Sequence, residues 1–301
     1  MENAATNQKS AKPAEVMDTE MKVQGVVMSM RGCVRENNED NFFFDGDFMQ
    51  DDAVNEGVTI RATVSKKFHL FAICDGMGGL NGGERASSIG VHALGDMNIY
   101  MPAKSVERAI DIYATETCKK VYQDSLLMSE AGREGTTLAI LYLADGLAHV
   151  ANVGDSRVYL LRMGKLYQLS TDHSEVYQMM LNGELTREQM RKHPRGNVIG
   201  AYLGMEESRM PKPYVTHLSL PVCRGDRFLL CSDGLSDLLS HEEMRELIDK
   251  ETDISLVASR LAWRAMEMGG KDNTTIMVLD MMGNMYPEPT AASVSMLYQE
   301  K

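Results

Sequence analysis

Between Thr136 and Leu161 the chain carries three apolar runs, TTLAILYL, LAHVANV and RVYLL, separated only by the turns Ala144-Asp145-Gly146 and Gly154-Asp155-Ser156. Strands this close together must pair antiparallel, because a parallel crossover needs a dozen or more connecting residues. Further strand-like runs stand at VQGVVMSM, NFFFDGDF, GVTIRATV, FHLFAIC, PYVTHLSL, DRFLLCS and NTTIMVLDMM, with GVTIRATV and FHLFAIC readable as a hairpin across Ser65-Lys66-Lys67. Helices are expected in pairs. Asn81 with Glu84 forms a capping-box pattern before a first helix, and Val106, Ile110, Tyr113, Ala114, Cys118 and Val121 keep the three-and-four spacing of an amphipathic second. SHEEMRELIDK and DISLVASRLAWRAMEM make another pair, and SEVYQMMLNG and LTREQMRKH two short helices. The fold class is therefore α+β, with antiparallel sheets packed on each other and covered by helices.

One device recurs along this frame. FAICDG ends a buried strand on Asp75, FLLCSDG ends another on Asp233, and Asp272 opens the strand TTIMVLDM. A carboxylate at the tip of a buried strand is costly unless it is paired or bound to a cation. The glycines after Asp75 let a backbone carbonyl, that of Gly76, approach the same point. Glu39 and Asp40, before an early strand, and Asp155, in the NVGDSR turn, enlarge the group. Convergent hard oxygens with no His or Cys cluster at metal spacing point to Mg²⁺ or Mn²⁺ rather than zinc. Any single Asp-Gly here reads as ordinary turn chemistry; the repetition does not.

The formal net charge of -12 argues against a nucleic-acid partner, which would need a basic face. Cys33, Cys74, Cys118, Cys223 and Cys231 form no CxxC pair, as suits a reducing compartment and a cytoplasmic protein. No apolar stretch is long enough to span a bilayer, so no membrane partner is expected. Residues 1–20 are polar and read as a disordered extension, 21–282 as one globular domain, and 283–301, with Pro287 and Pro289, as a flexible tail.

RENNED, DGMGG, GTT, NVGDSR, TDHS, CSDGL and KDNTT, in this order, resemble the motifs of the metal-dependent protein phosphatases, the PPM family or protein phosphatase type 2C, in their compact bacterial form. The resemblance spans about Val23 to Asp280. It implies a four-layer α-β-β-α sandwich, two antiparallel sheets flanked by pairs of helices, with two Mn²⁺ or Mg²⁺ ions at one edge. It implies that Asp75 bridges the two ions, that Gly76 supplies a carbonyl, and that Asp233 and Asp272 complete one ion's ligands. Glu39 and Asp40 match carboxylates that bind the other ion directly or through its water, Asp155 with Asp233 matches the holder of a third ion, and Arg35 matches the group that grips the substrate phosphate. The implied reaction is hydrolysis of phosphoserine or phosphothreonine in proteins by direct attack of a water held between the ions, opposing a bacterial-type serine/threonine kinase. The chain is expected to act as a monomer.

Two departures stand out. Met77 occupies the place where animal members carry a histidine thought to protonate the leaving group, and Met cannot donate a proton. The flap segment HPRGNVIGAYLG has glycine at Gly196, where the family more often has a basic residue, and Gly200-Ala201 in place of Thr-Arg. Arg187, Arg191, Lys192 and Arg195 form a basic cluster nearby, readable as a solvated helix face or as a steering patch. His173 and His193 are expected to serve as hydrogen-bonding groups. No cysteine is followed six residues later by arginine, and neither GxxxxGK[ST] nor HExxH occurs, which excludes thiol phosphatases, P-loop enzymes and zincins. A catalytically silent binding module of the same fold, or a hydrolase of small phosphorylated molecules, are the alternatives.

Overall fold

The computed structural model describes residues 20–50, 57–78, 82–97, 105–128, 134–210, 212–283 and 286–299. The extension before residue 20 and the expected capping residue Asn81 lie outside the described residues. In chain order the strands are β1 (Met21–Met30), β2 (Asp40–Phe44), β3 (Asp47–Phe48), β4 (Val58–Lys66), β5 (Phe68–Met77), β6 (Gly135–Thr136), β7 (Leu138–Ala144), β8 (Leu147–Val153), β9 (Arg157–Arg162), β10 (Lys165–Gln168), β11 (Thr216–Pro221), β12 (Arg227–Cys231) and β13 (Thr274–Met282). The helices are α1 (Gly82–Gly95), α2 (Val106–Met128), α3 (Glu175–Leu181), α4 (Arg187–Arg191), α5 (Asp233–Ser236), α6 (His241–Asp249), α7 (Ile254–Glu267) and α8 (Ala291–Gln299).

One sheet has the order β10-β9-β12-β13-β1-β4, and the other β11-β8-β7-β5-β2-β3, with β6 added against the end of β5. Every pairing is antiparallel. Period-two alternation makes the layers. On β12, Phe228 and Leu230 enter the core between the sheets, while Leu229 and Cys231 face Ile248 of α6 and Val257 and Leu261 of α7. On β5, Phe71 and Ile73 point to the same inner core, while Leu70, Ala72 and Cys74 pack with Val91 and Leu94 of α1 and Tyr113 of α2. The result is the expected four-layer sandwich. Each buried Phe or Leu contributes roughly 1.5–3 kcal/mol, and the sheets approach closely enough that a Cβ at Gly25 would lie 2.6 Å from the Phe44 ring.

Three local expectations are corrected. β4 and β5 do not form a hairpin: β4 pairs with β1 at the edge of one sheet, and β5 lies in the middle of the other. Alternate residues of β4 are exposed, as suits an edge, whereas β5 is buried on both faces and needs neighbours on both sides. Likewise β7 and β8 pair, but the Gly154-Asp155-Ser156 turn carries the chain across to the other sheet, where β9 pairs with β12 and β10. The segment expected to be a flexible tail instead holds α8. Tyr286 and Leu297 are buried in the core between the sheets, and the Ser293 carbonyl accepts from Arg162 Nη1 at 3.0 Å. The short β10, joined to β9 by the left-handed pair Met163 (φ 53) and Gly164 (φ 71), was signalled only by that turn.

Candidate active site

All the predicted carboxylates emerge at one end of the sandwich, because antiparallel pairing sets the end of one strand beside the start of the next. Asp40 opens β2 opposite Asp75 near the end of β5. Asp155 follows β8, Asp233 lies two residues beyond β12, and Asp272 two residues before β13. Asp75, Asp155, Asp233, Asp272, Glu39 and Arg35 line one cavity of about 200 Å³, which Gly76 and Met77 also face and Asn197 and Ile199 of the flap partly cover. A larger groove of about 660 Å³ opens beside β11 and carries no carboxylate, so volume alone does not mark the site.

The backbone of Asp75 is tied in place. Its N–H donates to Thr137 Oγ1 at 3.0 Å, and its carbonyl accepts from Thr136 Oγ1 at 3.0 Å and from the Thr137 N–H at 2.8 Å. Gly76 has no room for a side chain, since a Cβ there would lie 2.0 Å from the Gly83 carbonyl oxygen and 2.5 Å from that of Glu39. Asp40 lies behind the cavity wall, 1% exposed, which of the two expected arrangements leaves the one through a water. Its Oδ2 accepts from Ser232 Oγ at 2.7 Å, and its Oδ1 has no hydrogen-bond partner among the described residues. Arg35 sits at the rim with Nη2 2.7 Å from Asp272 Oδ2 and about half its side chain in solvent (48%).

Electrostatics mark the same spot. Burial, then the charges of Asp40, Asp233, Asp155 and Asp272, push the Asp75 carboxyl well above the usual carboxylate range. Burial and then Asp155, Asp237 and Asp272 do the same to Asp233. Burial pushes Asp155 and Glu39 up to about 7 and Asp40 up to about 6. The nearby guanidinium of Arg157 offsets only part of this at Asp155, because it is bidentate on Asp172, with Nη2 2.6 Å from Oδ2. Among the described residues no three such groups are closed into a finished ligand cage. A Mg²⁺-like ion that keeps several waters needs only one or two carboxylates. Hard-oxygen donors, an orphaned buried carboxylate oxygen and a carbonyl that only glycine can present fit divalent cations of this kind.

Two contributors were not singled out from the sequence, although Asn273 stands inside KDNTT. Asn273, 4% exposed, donates from Nδ2 to the Arg31 carbonyl (2.9 Å) and the Asn37 carbonyl (2.8 Å), and its Oδ1 accepts from the Glu39 N–H (2.8 Å). It thereby staples the Arg35 loop to the segment bearing Asp272. Asp237, four residues after Asp233, lines a small pocket of about 20 Å³ beside Asp155 and Asp233, and burial raises its carboxyl. The Asp-x-x-x-Asp spacing on one helical turn was the available signal.

The basic cluster is dispersed into local partners: Lys192 pairs with Glu188 (2.7 Å), Arg195 with Glu175 (2.5 Å), and Arg191 donates to the carbonyls of Asp237 and Leu238. That favours the structural reading over a steering patch. His173 Nδ1 accepts from the Gly154 N–H, and burial lowers the ring to about 4, so it is a neutral hydrogen-bonding group. His193 Nδ1 accepts from the Arg195 N–H.

The comparisons with known proteins place the chain in a family. A profile described as protein phosphatase 2C matches residues 45–258. Over 254 residues the chain is 33% identical to the serine/threonine phosphatase stp of Listeria monocytogenes, covering 83% of this chain and 92% of that protein. It is 31% identical to the serine/threonine protein phosphatase PstP of Mycobacterium tuberculosis, across 86% of this chain and 45% of that longer one. The crystal structure of the M. tuberculosis phosphatase PstP superposes with a TM-score of 0.72 at 30% identity, covering 87% of this chain and all (100%) of the crystallised one. The PstP catalytic domain in complex with two manganese ions gives a TM-score of 0.70 at 29% identity, with 87% and 100% covered. The chain belongs to the protein phosphatase 2C family, the metal-dependent serine/threonine protein phosphatases.

Proposed function

We propose that Asp75 bridges two Mn²⁺ or Mg²⁺ ions at the floor of the cavity. In this reading the Gly76 carbonyl, Asp233 and Asp272 complete the protein ligands of one ion. Glu39 serves the other, and Asp40 acts through a water because its side chain lies behind the wall. Asp155, with Asp233, has the position to hold a third. Bound there, the ions supply a water acidic enough to act as nucleophile at neutral pH and neutralise charge on the phosphoryl oxygens.

The remaining work falls to side chains of this chain. Arg35, held at the rim by Asp272, offers a planar fork to two phosphate oxygens, and its half-exposed position lets it reach a phosphate carried on a protein surface. Asn273 keeps Arg35 and Asp272 in register. Met77 faces the cavity without a proton to give, so the serine or threonine oxygen leaves by taking a proton from elsewhere.

The substrates are phosphoserine and phosphothreonine in proteins, and the partner is a serine/threonine kinase whose work the enzyme reverses in the cytoplasm. Five free cysteines, four of them buried, support a reducing compartment. No helix among the described residues is long and apolar enough to cross a membrane. The catalytic domain spans residues 21–282, with α8 docked beneath it.

The observation that carries the reading is the convergence of Asp75, Asp155, Asp233, Asp272, Glu39 and Arg35 on one cavity. The test compares wild type with Asp233→Asn on a phosphothreonine peptide, with manganese and with chelator. Turnover is expected only for wild type with manganese, falling at least about a hundredfold in the variant. Chelator-resistant turnover, or full activity in Asp233→Asn, would refute the ligand assignment.

A further inference from the structure

The segment Glu134-Gly135-Thr136-Thr137 runs behind the end of β5 as a strap. Thr136 and Thr137 hold the backbone of Asp75, as described above, and Gly135 pairs with Met77. Thr136 is in turn anchored to Leu203 by reciprocal backbone hydrogen bonds of 2.9 Å. Gly135 is packed so tightly that a Cβ there would lie 2.2 Å from the Tyr202 ring. The strap therefore has little freedom to shift along β5.

Its first residue has no place in the reaction described above. Glu134 is 8% exposed and does not line the catalytic cavity. Its side-chain stem fills the space between Gly78 and Gly82. A Cβ on Gly78 would fall 2.8 Å from Glu134 Cγ, and one on Gly82 only 2.1 Å from the same atom and 3.2 Å from Cδ. Gly78 follows the metal-facing end of β5 and Gly82 opens α1. The carboxylate of Glu134 thus lies against the amino end of a fourteen-residue helix, where N–H groups without intrahelical partners and the helix dipole favour an anion. On the far side of the same end, a Cβ on Gly83 would meet Glu39 Oε1 at 2.8 Å, so the helix start is wedged between Glu134 and the ligand carboxylate Glu39.

We infer that Glu134 is a positioning residue for the metal centre. It props Gly78 and Gly82 from behind, and so fixes the Gly76 carbonyl, Met77 and the Glu39 carboxylate relative to Asp75. The inference rests on the ligand assignment proposed above. It predicts that removing the prop loosens the ion site without removing any ligand, so metal affinity falls while turnover on the loaded site survives.

The experiment is calorimetric titration of the metal-free full chain with MnCl₂, together with kcat and KM on an aryl phosphate across manganese concentration. Glu134→Ala is expected to weaken manganese binding about 10–100-fold, the range typical of groups that orient metal ligands, with kcat recovering to within a few-fold of wild type at saturating manganese. Glu134→Gln, which keeps length and hydrogen-bonding oxygen, is expected to restore most of the affinity. If the alanine variant does not fold, Glu134→Asp replaces it, with weaker binding expected in the same direction. Wild-type manganese affinity in Glu134→Ala or Glu134→Asp, with only the melting temperature lowered, would overturn the inference and leave Glu134 a packing residue. Asp233→Asn in the same titration separates the two levels: if it binds manganese as wild type does, the ligand assignment itself fails, and the inference with it.

Discussion

The two ends of β12 solve the same problem in opposite ways. Asp226, just before the strand, is buried and answered from within the chain: Arg162 gives Nε at 2.8 Å and Nη2 at 2.6 Å, and the Cys223 N–H adds a third bond at 2.7 Å. The side chains of that pair are 1% and 0% exposed. Asp233, two residues past the other end, faces Asp75, Asp155, Asp237 and Asp272, and the nearby guanidinium of Arg157 is already bound to Asp172. One end is a structural joint that closes the floor of the sandwich with α8. The other is a concentration of like charge, where the proposed cations would sit. A buried carboxylate is thus not informative in itself; what answers it is.

The sharpest way to break this contrast is to give the structural end the unanswered charge of the catalytic end. Arg162→Leu strands Asp226 and removes the bonds to the carbonyls of Pro221 and Ser293. It should cost about 3–5 kcal/mol in urea unfolding. Arg162→Leu with Asp226→Leu should recover much of that, because a well-packed apolar pair replaces a buried ion pair at little net cost. If the double variant is as unstable as the single one, the joint is more than charge neutralisation.

A smaller effect should appear at the catalytic end when pH is varied. Folding raises Asp40 to about 6 and Glu39 and Asp155 to about 7, from unfolded values near 4. Above the unfolded values the folded chain binds more protons than the unfolded one, so in chelator stability should fall as pH rises from about 4 through 7. For the fully buried Asp40 alone the loss is on the order of 2–3 kcal/mol. Saturating manganese should flatten the slope, since the cation takes the place of the protons. Urea melts at intervals from pH 5 to 8, with and without chelator, measure it; a slope that rises with pH in chelator would contradict the reading.

The flap should yield the smallest change. Gly196 lies beside Asp155 and Asp237, and a Cβ there would meet the His193 carbonyl oxygen at 3.1 Å, tight but tolerable with a small shift. Gly196→Arg is expected to reorder a panel of phosphopeptides by a few-fold in kcat/KM, about 1 kcal/mol or less, while leaving aryl phosphate turnover nearly unchanged. Equal effects on both substrates would show that the flap does not read the peptide.

The parts of this molecule that were legible in the amino-acid sequence are those written in local pattern. Short turns forced antiparallel pairing, and repeated strand-tip carboxylates placed Asp75, Asp233 and Asp272 together. Period-two alternation tells which residues of β5 or β8 face inward, but not which sheet the next strand joins, so β4 to β5 and β8 to β9 read as hairpins when they are crossings. Asn273 and Glu134 escaped because their work is done against residues far away in the chain, such as Arg31 for the first and Gly82 for the second. The α8 segment escaped because only a few apolar residues, chiefly Tyr286, Val294 and Leu297, mark it, and their value depends on the open floor that they cover.

The central claim, that the charge at Asp233 is held for a cation and not for the fold, is tested most directly by thermal unfolding of wild type and Asp233→Asn in chelator and in manganese. The account predicts that in chelator Asp233→Asn melts at or above wild type, because one repelling charge is gone. Manganese at a hundred times its dissociation constant should then stabilise wild type by about 2.7 kcal/mol per site and the variant far less. A variant that melts well below wild type in chelator, and gains as much from manganese, would contradict it.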